Sequence, residues 1–101
     1  MPNLEIFNNM KAKHLATLVR YVPVVARVHG REHPEFLEVQ SLFNAINEKI
    51  KDCSDDLPDL KEEFAQLRQV TNNYEVPQDT CESYEAVYLM LSDLDKAYQQ
   101  D

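Results

Sequence analysis

The sequence is poor in the residues that build turns and sheets. Gly30 is the only glycine among 101 residues, and tryptophan is absent. Tight hairpins and bulges commonly need glycine at positive φ, so an architecture of many short strands is disfavoured. Few turns in a chain of this length favour long helices. We therefore predict an all-α protein that forms one domain over residues 1–101.

Basic residues and cysteines are also scarce. Ten lysines and arginines stand against 18 aspartates and glutamates, which gives a net charge of −8. Contacts to phosphate backbones need basic side chains, so this acidic protein is not expected to bind nucleic acid. Cys53 and Cys81 are too few for a disulfide framework, and neither has a CxxC partner or a basic stretch around it. We interpret both as small hydrophobic residues rather than as metal ligands or nucleophiles.

Long hydrophobic runs are missing as well. No stretch approaches the about 18 consecutive apolar residues of a membrane-spanning helix. The start of the chain, Met1–Glu5, has neither the basic region nor the apolar region of a secretion signal. We therefore expect a cytoplasmic protein that does not associate with membranes.

What the sequence does contain is helical periodicity. The first segment runs from about Leu4 to Val28, and its apolar face recurs every three or four residues. That face consists of Phe7, Met10, His14, Leu18, Tyr21, Val25 and Val28. Pro23 lies inside the segment and removes a backbone donor, so we predict a kink or a break near Tyr21. Gly30 is expected to end the helix with a left-handed C-cap.

Three further amphipathic segments follow. Pro34 suits the first turn of a second helix that extends to about Lys51 or Asp52. The stretch 54–58 is expected to cap a third helix, with Pro58 in its first turn, that ends near Asn72 or Asn73. The inward faces are predicted as Phe36, Val39, Phe43, Ile46 and Ile50 in the second helix, and Leu57, Leu60, Phe64 and Leu67 in the third.

The fourth helix is predicted to begin after Val76–Gln78, with Asp79 or Thr80 as its cap. Its buried residues are expected to be Tyr84, Val87 or Tyr88, Leu91, Leu94 and Tyr98. We interpret the tyrosines of this region, together with Tyr74, as core residues with polar tips. Four such helices with short connections predict an antiparallel four-helix bundle whose first helix is kinked near Pro23.

Two phrases stand out from this pattern. They are Ala26-Arg27-Val28-His29-Gly30 with His33-Pro34-Glu35, and Thr71-Asn72-Asn73-Tyr74 with Val76-Pro77-Gln78-Asp79-Thr80-Cys81. They resemble signatures of the hemerythrin-like di-iron proteins that repair iron–sulfur clusters, and the resemblance extends from about residue 15 to residue 98. It implies a hemerythrin-like bundle, a di-iron cofactor, protection against oxidative or nitrosative stress, and damaged iron–sulfur proteins as partners.

The iron ligands that the resemblance implies fall on unsuitable residues. The histidine of the first helix falls near 8–11, and the histidine and glutamate of the second helix fall near Lys49 and Cys53. The third-helix histidine falls near Pro58, and the fourth-helix ligands fall at or just after Asp101. None of these residues of the chain is therefore assigned as an iron ligand. Either the chain is a minimal relative that has lost its metal, or it is a fragment whose missing C-terminal end completes a reorganised site.

Three histidines are the remaining candidates for metal ligands. His14 lies on the apolar face of the first helix, one turn after the expected ligand, and its alternative role is that of a hydrogen-bonded core residue. His29 and His33 flank Gly30, where their rings would reach one ion only if the turn folded suitably. We favour a structural role for both, with His29 at a helix C-terminus and His33 as a cap of the next helix.

The sequence gives no catalytic constellation. It contains no glycine-rich phosphate loop, no nucleophile elbow and no cysteine–histidine pair at an informative spacing, so an enzyme is not expected. We hypothesise an iron–sulfur cluster repair or stress-protection protein whose metal site is absent or incomplete. The alternative is a metal-free helical interaction or regulatory module derived from the same fold. Protein partners are expected. A homodimer is a further alternative, because a fourth helix that ended early would leave the apolar residues of 91–98 exposed to solvent.

Overall fold

The computed structural model describes residues 2–53 and 57–99. Within these ranges the chain forms four α-helices and no strand: α1 (Pro2–His29), α2 (Glu35–Cys53), α3 (Lys61–Val70) and α4 (Glu82–Gln99). The helices share a hydrophobic cluster to which all of them contribute. Helix α1 packs most extensively on α4, and α2 contacts both α1 and α3. The prediction of an all-α, four-helix protein is confirmed for the described residues.

Helix α1 is continuous through Pro23, so the predicted alternative of a break is wrong, and the kink remains a prediction. A proline inside a helix leaves the carbonyl of the residue four positions earlier without its amide partner. That residue is Val19, which is 46% exposed, and Pro23 itself is exposed. The orphaned carbonyl therefore lies on the solvent side of α1, where water can bond it and the helix can continue.

The buried face of α1 differs from the predicted one near its C-terminal end. Tyr21 and Val28 are 37% and 63% exposed, whereas Val22 and Ala26 are buried. A helix advances by about 100° per residue, which places Val22 and Ala26 on one side of the line through Leu18 and the other two residues on the opposite side. Because α1 packs against both α4 and α2, its buried stripe is displaced toward the side that lies between them.

The apolar faces of α2 and α4 were predicted correctly. All five inward residues of α2 are buried, and in α4 both Val87 and Tyr88 are buried rather than one of the two. Helix α4 continues to Gln99, and Leu91, Leu94 and Tyr98 are buried as well, so the early helix end that would have uncovered 91–98 does not occur. The ring of Tyr98 is covered by Phe7 of α1 and Phe64 of α3, with centroid distances of 5.6 and 5.4 Å. This removes the reason given above for a homodimer.

Helix α3 is shorter than predicted at both ends. It begins at Lys61 and ends at Val70, and Leu60 precedes it without any side-chain cap. The Tyr98 hydroxyl takes the place of a cap, because it accepts the Leu60 amide at 2.9 Å and donates to the Pro58 carbonyl at 2.9 Å. Pro58 therefore lies before the helix and not in its first turn. The predicted cap at 54–56 lies outside the described residues.

Candidate functional site

The first sequence phrase forms the junction between α1 and α2. The Gly30 amide donates to the Ala26 carbonyl at 2.9 Å, and the His33 amide donates to the His29 carbonyl at 2.8 Å. The predicted left-handed cap is wrong, because Gly30 does not have a positive φ. Glycine is needed here for space: an added Cβ would collide with the Ala26 carbonyl oxygen and would lie 2.9 Å from Leu37 Cδ2. The tight junction brings His29 and His33 to the same end of the molecule.

The second phrase ends at the same place, at the start of α4. The Glu85 amide donates to the Cys81 carbonyl at 3.1 Å, so Cys81 occupies the N-cap position of α4. The predicted caps are wrong: the Thr80 hydroxyl donates to the Pro77 carbonyl at 2.8 Å, and the Asp79 carboxylate faces His33. The chain thus enters α4 with the Cys81 side chain at the positive end of the helix dipole.

Cys81 and His29 form a side-chain pair across these two phrases. Cys81 Sγ lies 3.1 Å from His29 Nε2, and Cys81 is exposed to solvent. The thiol donates to Nε2 when that nitrogen is unprotonated, and an imidazolium N–H donates to sulfur when the proton has moved. The interpretation of Cys81 as a small hydrophobic residue without a basic neighbour is therefore wrong. Cys53 is half-buried.

His33 lies beside this pair, between two carboxylates. Its Nδ1 is 3.1 Å from Glu35 Oε2, and its Nε2 is 3.2 Å from Asp79 Oδ1. The second contact does not have the alignment of a hydrogen bond, and Nε2 is buried with no hydrogen-bond partner. The contact to Asp79 is thus an ion pair only when the ring is protonated. The His33 ring contacts these carboxylates instead of capping α2 through its side chain.

The Tyr84 ring holds the two imidazoles together. Its centroid lies 5.5 Å from that of His29 and 5.5 Å from that of His33, with edge-to-face geometry in both cases. Such arrangements are favourable for aromatic rings. On its other side Tyr84 packs against Phe36 at 4.9 Å, and its hydroxyl shares a 3.2 Å hydrogen bond with the Tyr88 hydroxyl. The histidines therefore rest on the buried core and do not extend freely into solvent.

Burial also affects the ionisation of the tyrosines in this region. It raises the pKa of Tyr84 above its ordinary value of 10.0. Burial and the hydrogen bond with Tyr84 raise the pKa of Tyr88, and burial and the hydrogen bond to Asp95 raise the pKa of Tyr74. The uncharged phenol is the stable form at all three positions. The interpretation of these tyrosines as core residues with polar tips agrees with their contacts.

These pKa shifts predict a loss of stability in alkali. Above about pH 10 the unfolded chain releases phenolic protons that the folded protein retains, so the free energy of unfolding falls as pH rises. We expect urea denaturation to show a clear decrease between about pH 9 and pH 11. Tyr74→Phe should make this pH dependence shallower, because one of the shifted groups is removed. A free energy of unfolding that stays constant or increases over this range would contradict the prediction.

The start of the second phrase forms a left-handed turn after α3. Asn72, Asn73 and Tyr74 have φ values of 53°, 61° and 64°. Left-handed backbone costs about 1 kcal/mol or more for residues other than glycine, and asparagine tolerates it best. The Thr71 hydroxyl stabilises the turn by donating to the Leu67 carbonyl at 2.6 Å and accepting the Tyr74 amide at 2.8 Å. The Thr-Asn-Asn-Tyr sequence therefore has a structural explanation.

A buried carboxylate attaches this turn to α4. Asp95 is 2% exposed and accepts hydrogen bonds from three side chains. Arg68 Nη1 lies 2.7 and 2.9 Å from its two oxygens, the Tyr74 hydroxyl donates at 2.7 Å, and Gln99 Nε2 donates at 2.7 Å. A buried carboxylate without hydrogen-bond donors would lower the stability of the fold, and these donors remove that cost. Asp95 thus connects α3, the turn and α4.

A cleft of about 560 Å³ lies along the second phrase and reaches the start of α2. It is lined by Glu35, Val70, Thr71, Asn72, Glu75, Val76, Pro77, Gln78 and Tyr88. Glu35, which contacts His33 Nδ1, belongs to this lining. The cleft therefore adjoins the histidine end of the molecule.

His14 is not part of this cluster. Its Nε2 lies 3.0 Å from Asp93 Oδ2 in α4, and its side chain is 13% exposed. His14 and His29 are on the same helix, about 22 Å apart at 1.5 Å per residue. Of the three histidine candidates, the structure therefore brings together His29 and His33 only, with centroids 6.5 Å apart. His14 has the contacts of a half-buried, hydrogen-bonded residue.

The described residues do not fit a di-iron centre. At the expected second-helix position, the Lys49 ammonium is paired with Glu63 Oε2 at 2.8 Å. This hydrogen bond raises the pKa of Lys49, which favours its charged form over a metal-binding amine. Over 2–53 and 57–99, no three histidine, cysteine, aspartate or glutamate side chains are grouped suitably for an ion. Di-iron sites need more such ligands from several helices.

The sequence did not reveal the contributions of Cys81, Asp79 and Asp95 to these sites. Cys81 and His29 are 52 residues apart, so no local spacing could signal the pair, although both belong to the phrases that carry the resemblance. Asp79 was assigned to a helix cap. Asp95 lies in an acidic run of α4, and its burial depends on Arg68 and Tyr74, which come from other parts of the chain.

The fold and the site define an all-α, four-helix protein with a cysteine–histidine pair at one end. No family model matches the chain, and no solved structure matches it. Within the described ranges, none of the helices combines the length and the apolar character needed to cross a membrane.

Proposed function

We propose that this protein acts in iron–sulfur cluster repair and stress protection, with the family's di-iron site absent or incomplete in this chain. One observation supports the proposal above all. The two phrases that carry the resemblance are far apart in sequence, yet they contact each other through His29–Cys81 and His33–Asp79. Because both phrases carry the resemblance and their side chains contact each other, we expect them to form one functional site.

The finer fold assignment belongs to the same proposal. We propose that the bundle is antiparallel and hemerythrin-like. Two contacts support the antiparallel direction of α1 and α4: Phe7 near the start of α1 packs on Tyr98 near the end of α4, and His29 at the end of α1 contacts Cys81 at the start of α4. An up-down-up-down order with short connections is the simplest arrangement that satisfies both contacts. The hemerythrin-like assignment is based on the sequence resemblance.

The partner in this proposal is a protein with a damaged iron–sulfur cluster, and that cluster is the substrate. Cys81 Sγ and His29 Nε2 are donor atoms of the types that iron–sulfur centres use. Two donors are too few for a closed site, so the partner supplies the remaining ligands. Because Cys81 is exposed, its sulfur is available at the surface to a docked protein.

Reactivation of a damaged enzyme tests this proposal. A [4Fe–4S] enzyme inactivated by a nitric oxide donor is incubated with ferrous iron and a reductant, with or without this protein. We expect faster recovery with the wild-type protein and loss of that gain in the His29→Ala/Cys81→Ser double variant. Cys53→Ser is the matched control and should behave like the wild type. No gain from folded wild-type protein would reject the proposal.

The iron content of the purified protein distinguishes a chain without a di-iron site from a chain that holds two irons. Protein from iron-supplemented cultures, purified without oxygen, should contain far less than the about two irons per chain of a di-iron protein. A content near two would mean that iron ligands have been placed wrongly, and His14, His29 and His33 would be the first residues to replace.

A second candidate, the metal-free interaction module, is favoured by one surface. An open, mainly apolar groove of about 550 Å³ runs between α1 and α2. It is lined by Lys11, Ala12, Leu15, Ala16, Val19, Asn47 and Lys51. Two of the chain's ten basic residues border it, so its charge complements an acidic amphipathic helix from a partner protein.

A synthetic helix with leucine on one face and glutamate on the other is the probe for this groove. Saturable binding by calorimetry that is lost in Val19→Asp would support the module. Val19 is 46% exposed, so the substitution should leave the fold intact. Absence of binding to the wild-type protein would exclude this occupant.

A further inference from the structure

We propose that Cys81 is a reactive thiol that exchanges with small disulfides carrying amino groups, with His29 as its proton acceptor. This inference goes beyond the repair function and does not depend on it. The 3.1 Å contact between Cys81 Sγ and His29 Nε2 is the nucleophile–base geometry of activated thiols. Cys81 is exposed, so a disulfide in solution can reach its sulfur.

The His29 ring is positioned for this role by the core. It packs edge-to-face on Tyr84, whose own ring is fully buried. The Cys81 sulfur also lies at the N-cap of an 18-residue helix. The helix dipole, and the His29 imidazolium once the proton has moved, each favour a thiolate at this sulfur, whereas the carboxylates of Glu82 and Glu85 act in the opposite sense.

The exchange requires no oxidant other than the disulfide itself. The proton of the Cys81 thiol passes to His29 Nε2, and the thiolate attacks one sulfur of the disulfide. A new S–S bond forms at Cys81 while the S–S bond of the substrate breaks. The departing thiolate takes the proton from the His29 imidazolium and leaves as a free thiol, and the disulfide is the species that is reduced.

The surroundings of Cys81 select the charge of the substrate. A cleft of about 300 Å³ beside the sulfur is lined by Val76, Pro77, Gln78, Thr80, Cys81, Glu82 and Glu85. Glu82 and Glu85 are exposed carboxylates in that lining, and no basic residue belongs to it. An amine-bearing disulfide such as cystamine is therefore attracted, whereas an anionic one such as oxidised glutathione is repelled.

The reaction of single-thiol variants with neutral 4,4′-dithiodipyridine at about pH 7 tests the thiol. Cys53→Ser retains Cys81, and its reaction should be roughly tenfold faster than that of N-acetylcysteine. Adding His29→Ala should remove about that tenfold advantage. His29→Gln is a second variant in case the alanine variant does not fold, and Cys81→Ser reports the Cys53 rate. A Cys81 rate no higher than that of N-acetylcysteine, or one unchanged by both His29 substitutions, would overturn the proposal.

The charge preference is tested by mass spectrometry of the mixed disulfides. Cystamine should react faster with Cys81 than oxidised glutathione does, and Glu82→Gln/Glu85→Gln should reduce this ratio by roughly threefold for each carboxylate removed. Lys61→Gln, an exposed substitution on α3, is the matched control and should leave the ratio unchanged. Equal rates for the two disulfides would reject the amine-bearing substrate. Because the enzyme-reactivation assay uses no disulfide, failure of this inference is distinguishable from failure of the repair function.

Discussion

Asp95→Ala is expected to lower the free energy of unfolding by about 3 kcal/mol, because it removes a buried anion from paired donors. Arg68 would lose its two contacts to the carboxylate, and Tyr74 and Gln99 would lose one hydrogen bond each. Arg68 is 34% exposed and can partly rehydrate, so the expected cost is at the lower end for a broken buried ion pair. Urea denaturation followed by far-ultraviolet circular dichroism measures the effect through the midpoint and the slope.

Asp93→Ala is the matched control for this substitution. Asp93 is two residues earlier on the same helix and also has one basic partner, His14, but its side chain is 47% exposed. Exposed pairs contribute about 1 kcal/mol or less, so the control should change stability by no more than that. Equal losses of unfolding free energy in the two variants would show that the buried network around Asp95 contributes no more to stability than an exposed ion pair.

Gly30→Ala is the substitution with the next largest expected effect. Alanine normally stabilises a flexible position slightly by restricting the unfolded chain, by about 0.4 to 1 kcal/mol. Here its Cβ would collide with the Ala26 carbonyl and approach Leu37 Cδ2 to 2.9 Å. Since one obstacle is backbone, the junction must move, and we expect a net loss of about 2 kcal/mol in urea denaturation.

The substitution should also separate the groups that the junction brings together. Displacement of His29 from Cys81 should slow the reaction of the Cys81 thiol with 4,4′-dithiodipyridine, which is also the result expected for His29→Ala. Glu32→Ala is the control, because Glu32 is exposed and lies in the same turn, and its effect should stay within about 0.5 kcal/mol. If Gly30→Ala is as stable as the wild type and as reactive at Cys81, glycine is not required at this junction.

The regular parts of the fold could be predicted from the sequence. Every third or fourth residue of α2 is apolar from Phe36 to Ile50, and these residues are buried as expected. The face of α1 was harder to predict because the helix packs against two neighbours. Periodicity defines an apolar side, but the precise orientation depends on where those neighbours lie. Val22 and Ala26 were missed for this reason.

The helix ends and the site depended on contacts between distant residues. The start of α3 is set by the Tyr98 hydroxyl, 38 residues from the Leu60 amide that it accepts. The Cys81–His29 pair spans 52 residues. Local rules for caps and motifs see only neighbouring residues, so they assigned the cap of α4 to Asp79 or Thr80 and left Cys81 without a base. The resemblance was based on these two phrases and gave no indication that they meet in the fold.

The contact between the two phrases is tested most directly by nuclear Overhauser spectroscopy of the folded, full-length chain. Tyr84 follows the second phrase and lies 5.5 Å, centroid to centroid, from the rings of both His29 and His33 in the first. We predict cross-peaks from the imidazole protons of both histidines to the ring protons of Tyr84. Cross-peaks from neither histidine, in a protein that is helical by circular dichroism, would contradict a shared site and with it the proposed function.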